Sequence, residues 1–211
     1  MEAAARVLGY PFIENLADVA SKMGLYVEWS VNEKVALEVA SAASFSGLRA
    51  ICAMKQNGMN VASDYLMTLN LVGAKAGFVL VAADDPQGHS SNNEQDSRLF
   101  AKMADLPLLE PSTFQESKEM TQWAFELSEQ VGSVVILRGV TRTSHARGNV
   151  VLGELPKTGG KARFDRSIPM LPQPLILKHE QLHRNLDRLE EIYAQSRFNQ
   201  YQGIFIHSGS I

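Results

Sequence analysis

The feature that most constrains this 211-residue chain is an alternation of short, continuous apolar runs with longer stretches of helical period. Five runs stand out: LYVEW (25–29), LRAICAM (48–54), GFVLVAA (77–83), LPLLE (106–110) and SVVILRG (133–139). They are rich in Val, Ile and Leu and do not alternate with polar residues, as strands buried on both faces of a parallel sheet require. Between them, 32–46 sets Val35, Val39, Ala42 and Ala43 on one stripe, and 60–72 is apolar on most sides. Helical stretches at 93–104 and 113–130 follow, the second carrying Phe114, Met120, Trp123, Ala124 and Leu127. Strand alternating with helix builds βαβ units, so the expected class is α/β, an open, mostly parallel sheet flanked by helices. That domain is expected over residues 1–148.

Beyond it the character changes. Residues 149–174 carry Gly153, Gly159, Gly160 and prolines at 156, 169, 172 and 174, a connector laid over a surface rather than a packed layer. Leu175, Leu182, Leu186, Leu189 and Ile192 then mark one long helix at about 175–195. The linker is expected to run over 149–203, and 204–211 reads as the start of a further, truncated domain.

Several classes are excluded early. The formal charge of −3 leaves no basic footprint for nucleic acid. The single cysteine, Cys52, rules out a disulfide framework and any iron–sulfur cluster carried by this chain. The longest apolar stretches are seven or eight residues, against the roughly 20 a membrane helix needs. No basic flank leads into an apolar core at the N-terminus, so a cytoplasmic protein is expected.

In open parallel sheets, ligands bind beyond the carboxyl ends of the strands. The polar segments there are 30–34, 55–60, 84–96, 110–116 and 140–148. The 84–96 loop runs 13 residues without a large apolar side chain, a length that is usually functional or disordered. Glu33 opens a helix, where an acidic residue suits the macrodipole and Ser30 or Asn32 is available as cap. The same carboxylate at the mouth of a buried helix is also in position to exchange a proton with a ligand. In Lys55–Gln56–Asn57–Gly58–Met59–Asn60, Gly58 permits close backbone approach and Asn60 is a candidate helix cap, but neither a P-loop nor a dinucleotide fingerprint is present. His89, Ser90 and Ser91 lack the GxSxG elbow of a hydrolase. HEQLH (179–183) has the His spacing of zinc peptidases, yet Leu186 and Leu189 stand where a metzincin needs Gly and His, and no acidic residue follows Glu191. It reads as the solvated face of a linker helix, with no metal.

Taken together, YVEWSVNEKVALEVA (26–40), MKQNGMNVASDYLM (54–67), VLVAADDPQGHSSNNEQDSR (79–98), LPLLEPST (106–113) with AFELSE (124–129), and TR-SHARG (141–148) resemble the indolepyruvate:ferredoxin oxidoreductase alpha-subunit family. The likeness runs from about residue 9 to residue 148, and SRFNQYQG (196–203) fits the passage to a second domain. The resemblance implies the pyrimidine-binding domain of a thiamine-diphosphate-dependent 2-oxoacid:ferredoxin oxidoreductase. Its substrate would be an aryl 2-oxo acid, with coenzyme A taking the acyl group and ferredoxin the electrons. Glu33 would be the catalytic glutamate that hydrogen-bonds ring nitrogen N1′ of the cofactor, with Gln56, Gly58 and Asn60 beside it. Tyr10, Pro11, His89, Ser90, Ser91, Glu94 and Gln95 would line the substrate pocket, and Arg142 and His145 would sit at a domain junction. Magnesium with the diphosphate, and the iron–sulfur clusters, would belong to other domains of an oligomer built from this subunit and a second, beta subunit. Two departures stand out. The family continues Gly-Tyr-Pro with Gly-Thr-Pro-Ser, where this chain has Phe12–Ile13–Glu14–Asn15, and the GDG…N and ferredoxin-like cysteine motifs do not occur. A relative acting on phenylglyoxylate or another 2-oxo acid, and a non-catalytic α/β oligomerisation or regulatory module, are the alternatives.

Overall fold

The computed structural model of the protein describes residues 3–6, 11–154, 160–164 and 175–199. Within them, β1 (Ala3–Arg6), β2 (Tyr26–Trp29), β3 (Ala50–Lys55), β4 (Phe78–Asp84), β5 (Leu108–Leu109) and β6 (Val135–Val140) form one six-stranded sheet. Its order is β2-β1-β3-β4-β6-β5 and every pairing is parallel. The helices are α1 (Pro11–Met23), α2 (Glu33–Phe45), α3 (Gln56–Val72), α4 (Ser97–Met103), α5 (Phe114–Val131), the single turn α6 (Thr141–Ser144) and α7 (Leu175–Ala194).

Successive side chains of a strand point to opposite faces, so the continuous apolar runs feed two cores at once. Ala50, Cys52 and Met54 of β3, with Leu80, Ala82 and Ile136, bury against Leu37, Ala40, Met59, Leu66 and Leu69 of α2 and α3. The intervening residues of β4 and β6, Val79, Val135 and Leu137, meet Met120, Ala124 and Leu127 of α5. Ile51, Ala53 and Val81 meet Ile13 and Leu16 of α1. The expected α/β class with a parallel sheet flanked by helices is therefore what the chain adopts.

Helix ends follow the local chemistry. Of the two candidates for α2, Asn32 is the cap: its Oδ1 accepts from Val35 N at 2.9 Å. Thr113 and Glu116 close a reciprocal capping box on α5, whose other end stops at Gly132 in the left-handed conformation at φ +64°.

Three readings need correction. Neither β1 nor α1 is signalled by an apolar run; β1 is built on three alanines, which carry little strand preference and take their place from pairing on both sides. The 55–60 segment is not a loop: α3 begins at Gln56, so Asn60 lies inside its second turn, exposed, and caps nothing. The helix expected from residue 93 begins at Ser97, because Asp96 accepts from Arg98 N and caps it there. The long helix expected at about 175–195 is α7, and it packs on the domain. Leu182 and Leu189 are buried, Asn185 Nδ2 donates to Val131 O at 2.9 Å, and Trp123 of α5 packs edge-on to Tyr193. Residues 204–211 and Tyr10 lie outside the described residues.

Candidate active site

Two structures stand side by side at the carboxyl edge of the sheet. The first is a contact between two helix starts. Glu33 is the first residue of α2, directly after the Asn32 cap. Gly58 lies in the first turn of α3 and is buried. A Cβ at Gly58 would overlap Glu33 Cγ and lie 3.0 Å from both Cδ and Oε1 of that side chain. Gly58 is thus required by space and not by backbone conformation: it is helical, and only a bare Cα lets the glutamate fold across the turn.

Glu33 is partly buried and, among the described residues, its carboxylate forms no hydrogen bond or ion pair. Its charge is felt by Cys52, one layer below on β3, whose thiol is pushed far up by burial first and by Glu33 second. That cysteine is fully buried and inert. Beside this contact, Gln56 is completely buried; its Nε2 donates to Asn93 O at 3.2 Å while its Oε1 has no partner among the described residues. Asn57 Oδ1, the next residue's acceptor, is likewise buried without a partner. Orphaned buried acceptors are rare in folded chains because each costs about 1–3 kcal/mol. Gln56 and Asn57 directly precede Gly58 at the start of α3, so two acceptors without a partner among the described residues flank the Glu33 contact along the chain, and a third, Asn70 Oδ1, lies further down the same helix.

The second structure is the 84–96 loop and its anchors. Asp85, buried, receives Ser90 N at 2.7 Å and Ser91 Oγ at 2.9 Å on one oxygen, and Thr141 Oγ1 at 2.8 Å on the other. The Ser90 N–H leads these interactions, and together with the Lys55 charge they hold Asp85 well below the usual carboxylate range against the burial that would raise it. Lys55, at the end of β3, donates to Ser90 O and Ser90 Oγ at 3.2 Å each and to Ser91 Oγ at 3.0 Å. Below the loop, Asp84 and Arg138 form a buried pair, Arg138 Nε to Asp84 Oδ2 at 2.6 Å. The Ser97 N–H and hydroxyl also bind Asp84, and Glu110 takes the other side of the guanidinium.

The expected residues thus fall into two groups. Glu33, Gln56 and Gly58 come together with Asn93; Ser90 and Ser91 sit on the Lys55 and Asp85 anchors; His89 and Glu94 are exposed on the loop, and Gln95 Nε2 reaches back to Asn93 Oδ1 at 2.9 Å. Asn60 is exposed on α3. Pro11 opens α1. Arg142 and His145 are exposed beside α6. Sequence reading passed over Asn57, Lys55, Asp85 and Arg138. Asn57 and Lys55 lie in the 55–60 motif and Asp85 in the 84–96 loop beside its partners Ser90 and Ser91; Arg138 carries no local signal, since Asp84 lies 54 residues away. His179 and His183 face each other, Nε2 to Nε2 3.0 Å, on the exposed side of α7. Among the described residues no third ligand completes a metal site there or elsewhere.

No family model matches the chain. Curated relatives do. It is 47% identical to the indolepyruvate oxidoreductase subunit IorA of Pyrococcus abyssi over 201 residues, 90% of this chain and 31% of that protein. It is 55% identical to the same subunit of Thermococcus kodakarensis over 155 residues, and 46% to that of Archaeoglobus fulgidus over 182. Among solved structures, a 2-oxoglutarate:ferredoxin oxidoreductase from Magnetococcus marinus, with 2-oxoglutarate, coenzyme A and succinyl-CoA bound, superimposes with a TM-score of 0.64 at 14% identity. That likeness covers 91% of this chain and 42% of the other and speaks to the fold alone. The chain spans under a third of the length of the curated relatives it matches, and over that span it belongs to the indolepyruvate oxidoreductase IorA family.

Proposed function

We propose that this chain is the pyrimidine-binding part of an enzyme that oxidatively decarboxylates aryl 2-oxo acids, passing the acyl group to coenzyme A and electrons to ferredoxin. The observation that carries the reading is the unpartnered Glu33 carboxylate folded across bare Gly58, with the orphaned acceptors of Gln56 and Asn57 beside it. Those groups fit the aminopyrimidine of thiamine diphosphate: a ring that needs one proton held at N1′ and offers an amine to nearby acceptors. When bound, that cofactor supplies the carbon nucleophile and the electron sink for loss of carbon dioxide.

Glu33, at the start of α2, would hold the proton at N1′, the general acid–base work of a carboxylate. Gly58 excludes every side chain from the ring's path. Gln56 and Asn57 would offer acceptors to N–H groups of the ring, which would offset the cost of burying those oxygens bare. The Lys55–Asp85 anchors fix Ser90 and Ser91 for the substrate, with His89, Glu94 and Gln95 further along the loop. On this reading residues 1–148 are the catalytic domain and 149–203 a linker. Magnesium, the diphosphate contacts and the iron–sulfur clusters come from other parts of a cytoplasmic assembly that includes a beta subunit. No helix among the described residues is long and apolar enough to cross a membrane.

The test is Glu33→Gln in the assembled enzyme. General acid–base groups contribute roughly 10²–10⁴-fold, so decarboxylation of indolepyruvate falls by at least about 10²-fold while the melting temperature stays put. Normal turnover in this variant refutes the assignment. A substrate panel including phenylglyoxylate and 2-oxoglutarate sets the side-chain preference.

A further inference from the structure

Alternation along β3 sends Ile51 and Ala53 to the α1 side of the sheet, so Lys55, two residues on, stands on that same side at the strand's carboxyl end. The Glu33–Gly58 contact belongs to the α2–α3 layer across the sheet. The 84–96 loop bridges the two: Asn93 binds Gln56, and Ser90 and Ser91 bind Lys55.

All three acceptors around the Lys55 ammonium are neutral, and among the described residues it forms no ion pair. The nearest carboxylate in this network, Asp85, is taken up by Ser90 N, Ser91 Oγ and Thr141 Oγ1. Asp85 therefore shapes the serine turn and leaves the cation without a direct counter-ion. A partly buried ammonium gains most from a charged acceptor, about twice what a neutral one gives. Serine hydroxyls are acceptors that can be turned into donors by rotation, so they can hold the cation in the resting state and yield to an anion.

We propose that Lys55, together with the Ser90 hydroxyl, is the receptor for the carboxylate of a 2-oxo acid. The inference rests on the function proposed above and names the residues that recognise the substrate's charged end. One carboxylate oxygen replaces the serine oxygens on the ammonium, and the Ser90 hydroxyl turns its proton toward the same anion while Ser91 keeps its hydrogen bond to Asp85. Lys55 binds and orients; it moves no proton. A phosphate of the cofactor or of coenzyme A presents similar oxyanion chemistry, and the experiment separates the two.

In the assembled enzyme without electron acceptor, calorimetry compares phenylpyruvate, its neutral amide and inorganic phosphate on the native protein, Lys55→Met and Lys55→Arg. Native protein binds the acid at least about tenfold more tightly than the amide. Lys55→Met weakens the acid by about ten- to a hundredfold, leaves the amide within about twofold, and Lys55→Arg restores most of the loss. In turnover, KM for the acid rises in parallel in Lys55→Met and is largely restored in Lys55→Arg. Equal weakening of acid and amide marks a merely structural lysine and overturns the proposal. So does unchanged affinity for the acid, native protein that binds no acid, or a loss confined to phosphate. Lys55-dependent binding of the acid without any turnover sinks the enzymatic reading and leaves the receptor standing. Turnover with Lys55-independent affinity does the reverse.

Discussion

The Glu33–Gly58 contact and the Asp84–Arg138 cluster lie at the same edge of one sheet and are built from the same chemistry, yet they are finished differently. Around Arg138, each charge has an opposite charge or a donor against it: Asp84 takes Arg138 and Ser97, and Glu110 takes the far side of the guanidinium. Around Gly58, one carboxylate and two amide oxygens have no donor among the described residues. A saturated buried cluster is a strut, because everything it needs is already present. An unsaturated one carries a standing cost that a ligand's donors can remove. The difference separates stability from function at one edge of the fold.

The largest effect expected on this contrast is the loss of decarboxylation in Glu33→Gln, with stability intact. The next is its mirror image. Arg138→Met leaves Asp84 buried and uncompensated and is expected to cost about 3–5 kcal/mol of unfolding free energy, read by denaturant titration. Adding Asp84→Asn to it recovers part of that loss, since the orphaned charge is then gone. If Arg138→Met instead leaves stability alone and abolishes only turnover, the cluster is part of the site and the contrast fails.

Gly58→Ala sharpens the other side. The added methyl must displace Glu33, so cofactor affinity is expected to drop by about tenfold or more, with a stability cost of roughly 1–2 kcal/mol. Retained affinity in calorimetry with thiamine diphosphate would show that Glu33 has another place to go. The smallest effect concerns pH. Asp85 is held well below the ordinary carboxylate range by Ser90 N–H and its companions, and Asp96 at about 2, chiefly by Arg98. A group whose folded pKa is depressed adds stability above its unfolded pKa of about 3.9 and loses it as pH falls toward the folded value. Thermal stability should therefore be level above about pH 5 and decline below about pH 4, and serine-loop variants that free Asp85 should flatten that decline.

Much of this was legible in advance, though unevenly. Continuous apolar runs announced β3, β4 and β6 because strands buried on both faces tolerate no polar residue. Asn32, one of two cap candidates for α2, is legible because capping is chemistry contained in three or four residues, whereas the Thr113–Glu116 box on α5 is seen only in the structure. The first strand stayed hidden: Ala3–Ala5 has no propensity to advertise and gains its geometry only between β2 and β3. Gly58 was noticed as a point of close approach, but in a supposed loop. The residue it makes room for, 25 positions earlier in the chain, shares no sequence signal with it.

The sequence by itself determined the layer architecture and the family, since periodicity and ordered motifs are properties of neighbours along the chain. It also offered Glu33 as a candidate. Only the tertiary structure decided that α3 starts four residues early, that Asn60 is exposed within it, and that Asn57, Lys55, Asp85 and Arg138 matter. The physical reason is that satisfaction of a buried polar atom depends on groups brought together from distant strands. Whether an acceptor has found its donor is written in the packing of the sheet edge, where β3, β4 and β6 end side by side.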